Sequence, residues 1–359
     1  MPAPPRPSSD TINQSASLDG CDAPTTRTAS FPFNDPKADF IIRSSDNIHF
    51  YIHKSLLSIV SPVFEGILEV LDSTPQKLYD DRPCLPVADD SLHLTYLLSW
   101  CDPRSDRSKM RSTLDCLAMR LSIAKKYGVD AMFEDAQKDL LAHCSVGPLR
   151  VYAIAIRFRL DDVVQKAAQA TLGLSLAKYN FPDLKHISAF AIQNLHNYHF
   201  ECKEAIRDLL ASESWAENMK VAASHLSSRR KDIDSENLWH THGVEYFSLK
   251  RLAVVSGGFL WLSTGKTAPW WSEYVETMIY ILNDRPGVRL LPPHSLFEWL
   301  EEKISRDKCS QCSKYGYERL QKVSQYLVNI IDKTVSKVRK PLVGYDSCLV
   351  TKLIWLAKF

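Results

Sequence analysis

Apolar and polar residues alternate near residue 50 and then change to a helical period. Ile48, Phe50 and Ile52 alternate with His49 and a tyrosine, which is typical of a half-buried strand. The apolar segment 39–43 precedes this strand, and the Ser-Ser-Asp-Asn sequence between the two favours a turn. The pattern therefore predicts a β-hairpin over residues 39–52.

Amphipathic helices follow the hairpin. A short one is expected around Leu57, and Ser61-Pro62 supplies the N-cap and first turn of a second. The second helix has apolar residues at i, i+3, i+4 and i+7, which are Phe64, Ile67, Leu68 and Leu71. A small sheet with a separate cluster of helices is an α+β arrangement.

The helical period dominates the rest of the chain. We expect a short strand at 84–87 and helices that begin near Asp90, Leu114 and Asp130. Beyond residue 148 the pattern is almost entirely helical, and it includes a long helix over Tyr317–Val338. Residues 1–36 hold 7 of the 19 prolines and no apolar period, so they are predicted to be a disordered tail.

The segment His53–Phe64, with the sequence HKSLLSIVSPVF, resembles the signature of BTB/POZ domains. In that family Asp opens the first strand, as Asp39 does here, and His-Lys ends the second. A leucine follows three residues later, and Ser-Pro-x-Phe begins the next helix. Residues 121–127, LSIAKKY, are similar to a later helix of the family. The matching positions are Asp39, His53, Lys54, Leu57, Ser61, Pro62 and Phe64.

These residue types indicate structural roles. We expect a buried His53 at the strand end to bond backbone groups and fix the turn into the helix, rather than to act in catalysis or bind a metal. Leu57 and Phe64 are expected in the core, and Ser61 is expected to cap a helix.

The resemblance extends to the helical region of fungal, mushroom-type BTB proteins. It is carried by short motifs in residues 148–155, 185–189, 198–202 and 270–274. It implies a tail at 1–36, a BTB/POZ-like domain at 37–145 and a mainly helical region at 146–359. Some family members exchange an N-terminal helix and strand between protomers, and the Pro-rich residues before Asp39 do not suit that exchange.

The resemblance implies a non-enzymatic protein–protein interaction module. Its partner is expected to be a second copy of the chain or another protein, bound through helix faces near residues 37–60. An adaptor for a cullin-type ubiquitin ligase is the alternative, since Ile67-Leu68-Glu69 matches the apolar-x-Glu pattern of some cullin-binding members. No kelch, zinc-finger or ankyrin repeat follows the domain.

Composition narrows the class of protein. A net charge of +2 from 44 basic and 42 acidic residues argues against a dedicated nucleic-acid binder. The longest apolar stretch, Leu252–Leu262, is shorter than the roughly 20 residues of a membrane span. Nine cysteines without a regular spacing favour a reducing compartment, the cytoplasm or the nucleus.

Two short motifs keep other functions open. Gly265-Lys266-Thr267 matches the end of a phosphate-binding loop, but Leu260 stands where that loop needs glycine. Cys309 and Cys312 form a C-x-x-C pair that could contribute to a structural zinc site or a redox dithiol, or be incidental. No catalytic triad, carboxylate pair or Gly-rich cofactor motif occurs, so the sequence predicts no cofactor and no enzyme; a helical enzyme or nucleotide binder is the remote alternative.

Basic residues collect near the end of the long helix, at Lys333, Lys337, Arg339 and Lys340. Cations near a helix C-terminus interact favourably with the helix dipole, so a solvated helix face is the simplest interpretation. Contact with an acidic partner or with nucleic acid is the alternative.

Overall fold

The computed structural model describes residues 27–74, 78–107, 112–176, 182–211, 249–255, 258–263, 269–287, 298–306 and 310–341. The fold is mixed α+β, with a small five-stranded sheet. Two compact units divide the chain, with bounds Met1–Met110 plus Ile123–Asp130 and Arg111–Ser122 plus Ala131–Phe359. We call them the sheet unit and the helical unit.

In its described residues, the sheet unit contains a five-stranded sheet, three complete helices and the end of a fourth. Its strands are β1 (Arg27–Thr28), β2 (Phe40–Arg43), β3 (Ile48–Ile52), β4 (Leu78–Tyr79) and β5 (Arg82–Pro86). Its helices are α1 (Lys54–Val60), α2 (Pro62–Asp72) and α3 (Ser91–Cys101). The strand order is β1-β3-β2-β5-β4, with β2 antiparallel to β3 and parallel to β5.

The predicted hairpin is present as β2 and β3, and its turn follows from local chemistry. Ser44 Oγ accepts a hydrogen bond from the Ile48 N–H at 2.9 Å, and Asn47 adopts the left-handed conformation. The expected half-buried alternation of β3 is wrong at one position. His49 is only 2% exposed, because the Tyr79 ring of β4 covers it at a centroid distance of 4.2 Å.

Residues 27–36, part of the predicted disordered tail, belong to the sheet unit. Strand β1 pairs in parallel with β3, and the backbone N–H of Tyr51 donates to the Phe33 carbonyl at 2.9 Å. Phe33 is 4% exposed and its ring contacts Phe50, while Arg104 pairs with Asp35. The prediction of disorder is therefore wrong for these ten residues, since one buried aromatic and one ion pair anchor a Pro-rich segment. Residues 1–26 lie outside the described part of the chain.

The described helices that follow α3 lie wholly or mostly in the helical unit. They are α4 (Leu114–Tyr127), α5 (Asp130–Ala142), α6 (Pro148–Phe158), α7 (Asp161–Thr171), α8 (Ala189–Ala211), α9 (Pro269–Asp284), α10 (Glu298–Ser305) and α11 (Ser310–Ser336). Two 3-10 turns, His143–Ser145 and Pro182–His186, lie between them. The last residues of α4 and the first residue of α5 belong to the sheet unit.

The two units divide the chain differently from the predicted boundary between residues 145 and 146. Leu117 of α4 and Leu140 of α5 are fully buried in the same apolar cluster as Val151 of α6 and Val164 of α7. Shared burial with the later helices explains why these segments belong to the helical unit.

A second sheet interrupts the region that the pattern predicts to be helical. Strands β6 (Leu249–Val255) and β7 (Gly258–Ser263) form an antiparallel hairpin in which Val255 pairs with Gly258. Two short apolar runs separated by a Ser-Gly pair are compatible with a hairpin as well as with a helix, and glycine disfavours the helix.

A buried arginine joins α4 to α5. Arg120 is 2% exposed, and its guanidinium donates to Asp139 Oδ2 at 2.8 Å and to Asp135 Oδ2 at 2.5 Å. Both carboxylates are partly exposed, so their charges remain partly solvated. The two ion pairs of Arg120 therefore avoid the full desolvation penalty.

We expect Arg120→Met to lower the free energy of unfolding of the helical unit by about 2 kcal/mol, because two charge-assisted hydrogen bonds are lost while the apolar stem is retained. Asp135→Asn should cost less, about 1 kcal/mol, since Asp139 keeps its bond. Chemical denaturation followed by circular dichroism measures both. Equal effects of the two substitutions would contradict this assignment.

Candidate interaction surface

The turn from β3 into α1 is fixed by Asp39. Its Oδ1 accepts a hydrogen bond from the Lys54 backbone N–H at 2.9 Å, which satisfies one of the free N–H groups at the start of α1. His53 stands at the N-cap position, but its side chain makes no capping hydrogen bond. It is 34% exposed, with Nδ1 3.9 Å from Asp39 Oδ1. The prediction of a buried His53 that fixes the turn is therefore wrong, because the carboxylate takes the capping role.

Lys54 links the start of α1 to the end of α2. Its Nζ lies 2.6 Å from Asp72 Oδ1 and 5.8 Å from the centre of the Phe40 ring. Leu57 in the same helix is fully buried, in agreement with the sequence prediction. Lys54 thus helps to hold α1 and α2 in place.

Ser61 connects the two motifs that carry the family resemblance. It caps α2, because its Oγ accepts a hydrogen bond from the Phe64 N–H at 3.1 Å, and Pro62 occupies the first turn. The same hydroxyl donates a short hydrogen bond to the backbone carbonyl of Tyr127, the last residue of α4. Ser61 is fully buried, so neither contact competes with water.

Phe64 and Tyr127 make the second contact between the motifs. Their rings stack with centroids 4.7 Å apart and an interplanar angle of 4°. The Tyr127 hydroxyl donates to Asp89 Oδ2 at 2.6 Å, and Lys126 Nζ lies 2.6 Å from the same oxygen. Burial, together with the hydrogen bond to Asp89, raises the pKa of Tyr127. Gly128 follows with a φ of +64°, the left-handed conformation that ends α4.

Replacement of Ser61 by alanine should lower the free energy of unfolding of the sheet unit by about 2 kcal/mol. The α2 cap is lost and the buried Tyr127 carbonyl loses its donor. Ser58→Ala is the matched control, because the Ser58 hydroxyl bonds only the Ser55 carbonyl at an exposed position. Urea denaturation measures both variants, and a loss for Ser61→Ala no larger than for Ser58→Ala would contradict the role of the double contact.

Helices α1 and α2 carry exposed apolar residues. Ile59 is 80% exposed, Val63 40% and Val70 63%. Val63, Gly66 and Val70 are spaced by three and four residues, so they lie along one side of α2. No heavy atom lies within 4 Å of the position that a Gly66 side chain would take. We call these four residues the α1–α2 face.

Charged residues border this face. Glu65 and Glu69 are exposed on α2, next to the apolar stripe, whereas Phe64 and Leu68 point to the core. Ile67 is half-buried, and Glu69 two residues later is accessible. An apolar centre with a polar border is the usual composition of a protein interface. The face is the strongest candidate site in the sheet unit.

The arginine–carboxylate cluster near Asp102 has a structural role. Arg104 donates to both oxygens of Asp102, which is almost fully buried, and also pairs with Asp35. Burial alone would raise the pKa of Asp102, but the hydrogen bonds and charge of Arg104 outweigh it and hold the pKa below its usual value. The carboxylate is therefore ionised and paired, a state suited to anchoring residues 27–36.

The buried thiols of the described residues are poor nucleophiles. Burial raises the pKa of Cys101 to about 12 and that of Cys202 to about 12. A thiol with such a pKa is protonated at neutral pH, and the thiolate is the reactive form.

The two candidate chemical motifs fall largely outside the described residues. Gly265–Thr267 and Cys309 lie outside them, and Cys312 is in α11 at a position whose side chain is not described. The zinc, redox and nucleotide alternatives therefore stay predictions. Within the described ranges, no group of three or more His, Cys, Asp or Glu side chains is arranged to hold a metal ion.

Comparison with known proteins finds no matching family model, and no curated protein is significantly similar to this chain. The resemblance to BTB/POZ domains therefore stays a prediction from the sequence motifs around Ser61 and Tyr127. None of the helices in the described part of the chain is long and apolar enough to cross a membrane.

Proposed function

We propose that this chain is a non-enzymatic protein–protein interaction protein, in which a BTB/POZ-like domain self-associates or binds a partner protein through the α1–α2 face. The observation that carries the proposal is the exposure of three apolar side chains on the consecutive helices α1 and α2, those of Ile59, Val63 and Val70. Ile59 and Val63 belong to the first of the two motifs that resemble the family, and Val70 follows that motif in α2.

These three side chains expose apolar surface to water. Complete burial of an isoleucine or valine side chain is worth about 1.5–3 kcal/mol. A partner that covers all three gains a substantial part of the energy needed for association, and the accessible backbone at Gly66 permits close approach. In a symmetric dimer the same face meets its own copy, so an apolar centre is self-complementary. Glu65 and Glu69 then lie at the rim.

The structural hydrogen bonds made by residues of the family signature support a binding role rather than catalysis. Asp39, Lys54 and Ser61 each hold a turn or a helix end through specific hydrogen bonds. The thiols of Cys101 and Cys202 are protonated at neutral pH. Four of the described cysteines, Cys101, Cys116, Cys144 and Cys202, form no disulfide bond, which supports a reducing compartment such as the cytoplasm or nucleus.

An adaptor for a cullin-type ubiquitin ligase is the second candidate. The supporting observation is that Glu69 is exposed while Ile67, two residues earlier, is half-buried on the same helix. Co-purification with a cullin, lost in Glu69→Lys and retained in Glu65→Lys, would favour this function over self-association alone.

Co-expression of two differently tagged full-length copies tests the proposal. We expect each tag to capture the other copy, and we expect the double variant Ile59→Asp/Val70→Asp to lose this capture. The matched control is Leu92→Asp, which changes another exposed apolar residue, 55% exposed, on α3. If capture by the double variant equals capture by wild type and control, the α1–α2 face is not the interface.

A further inference from the structure

A surface groove of about 570 Å³ lies within the helical unit, where α5, α7 and the segment after α11 meet. Ligand sites in proteins commonly have volumes of about 300–1,000 Å³. Leu141 and Val163 give the groove an apolar floor, and two glutamines add amide groups to its walls. The groove is large enough for several residues of an extended chain.

Three lysines from three separate elements meet at this groove. Lys138 belongs to α5, Lys166 to α7, and Lys340 follows α11. The ammonium group of Lys340 donates to the neutral oxygen of Gln169 at 2.9 Å. Within the described part of the chain, no ion pair of 4.0 Å or less joins any of the three to a carboxylate. Their positive charge is therefore available to a ligand.

Two carboxylates, Glu134 and Asp162, also line the groove. Each lies four residues before a lysine of the same helix, so acidic and basic groups alternate along both walls. The groove carries three positive and two negative groups, a weak positive excess.

We propose that this groove binds an acidic peptide segment of a partner protein. Carboxylates spaced along an extended peptide, whose residues advance about 3.3–3.6 Å each, can meet the separated lysines one at a time. The glutamine amides can bond the peptide backbone, and the floor can take a small apolar side chain. The proposal does not depend on the α1–α2 face, which belongs to the sheet unit.

A dense phosphate cluster fits this groove less well. Glu134 and Asp162 would repel it, and the groove offers lysine ammonium groups where bidentate phosphate recognition favours arginine. Acidic peptide and phosphate can therefore be separated by experiment.

Fluorescence anisotropy with a fluorescein-labelled peptide of alternating glutamate and glycine tests the proposal on the full chain. We expect saturable binding that weakens with added salt. The triple variant Lys138→Glu/Lys166→Glu/Lys340→Glu should bind about tenfold more weakly or worse. The control Lys185→Glu changes an exposed lysine of the Pro182–His186 turn and should bind like wild type.

Neutralising the two carboxylates gives a test with the opposite sign. Glu134→Gln/Asp162→Asn should bind the peptide a few-fold more tightly, about threefold, because the repulsion is removed. Circular dichroism establishes that each variant is folded. Three results would each overturn the proposal. The first is that the peptide does not bind at low salt, and the second is that the triple variant binds it as tightly as wild type. The third is that inositol hexakisphosphate displaces the labelled peptide at concentrations where unlabelled peptide has no effect.

Discussion

Replacement of Phe64 by alanine will lower the free energy of unfolding of the sheet unit by about 3–5 kcal/mol. Phe64 is fully buried and stacks on Tyr127 with ring centroids 4.7 Å apart. The substitution removes a large apolar side chain and leaves a cavity, and it also removes the aromatic contact between the two motifs. Because the chain has two units, amide hydrogen exchange in α2 and β3 measures this loss more directly than global denaturation.

Val63→Ala is the matched control for this substitution. Val63 is the preceding residue of the same helix and is 40% exposed, so its truncation should cost less than about 1 kcal/mol. If the two variants lost similar protection from amide hydrogen exchange, the central packing role of Phe64 would be contradicted.

Stability of the helical unit will fall as pH decreases from about 6.5 to about 4, with His199 responsible for up to about 3 kcal/mol. His199 of α8 is 3% exposed, and burial lowers its pKa to about 4. Lys203 and His196 lower this pKa further, whereas Asp284 raises it. Thr171 Oγ1 donates to the Ala168 carbonyl at 2.6 Å, so it accepts the hydrogen bond from His199 Nε2 at 2.9 Å. The buried imidazole is therefore neutral with its proton on Nε2.

The direction of the pH effect follows from proton binding. Between pH 6.5 and 4 the unfolded chain takes up a proton on His199 and the folded chain does not, so acid favours unfolding. Above pH 6.5 the imidazole is neutral in both states and its contribution to stability is fully present. The loss grows steadily toward pH 4.

His199→Gln isolates this residue, since glutamine retains an N–H group for Thr171 and does not titrate. We expect the variant to lose most of the pH dependence of stability between pH 6.5 and 4 relative to wild type. His186→Gln, at an exposed position, should keep it. Urea denaturation at several pH values measures all three proteins, and an unchanged pH dependence in His199→Gln would contradict the assignment.

Much of the sheet unit could be predicted because its signals are local. The turn after β2, the cap at Ser61 and the glycine at the end of α4 each act within a few residues of sequence. The contact of Ser61 with Tyr127 joins residues 66 positions apart, so only the resemblance linked their motifs in advance. His53 shows the limit of residue-type arguments, because the nearby carboxylate of Asp39 competes successfully for the capping role.

The errors arose where tertiary contacts override local pattern. Phe33 anchors a Pro-rich segment that has no apolar period, and the ring of Tyr79, from the edge strand β4, covers His49. The hairpin of β6 and β7 was missed because short apolar runs do not distinguish strand from helix.

The two candidate binding sites differ in how far the sequence could reveal them. The α1–α2 face has a sequence signal, since Val63 and Val70 are apolar positions of α2 that do not belong to its predicted core stripe. The sequence gives little indication of the groove in the helical unit, because its three lysines, Lys138, Lys166 and Lys340, are separated by up to 202 residues. The sequence shows basic residues near the end of α11, but it does not predict which residues of other segments lie next to them.

Multi-angle light scattering of the full chain over a range of concentrations tests self-association through the α1–α2 face most directly. We expect a mass that rises from 40.8 kDa toward twice that value with concentration, and a mass of 40.8 kDa throughout for Ile59→Asp/Val70→Asp. Leu92→Asp should behave like wild type. A wild-type mass of 40.8 kDa at every concentration, or an oligomer unchanged by the double variant, would contradict self-association through this face.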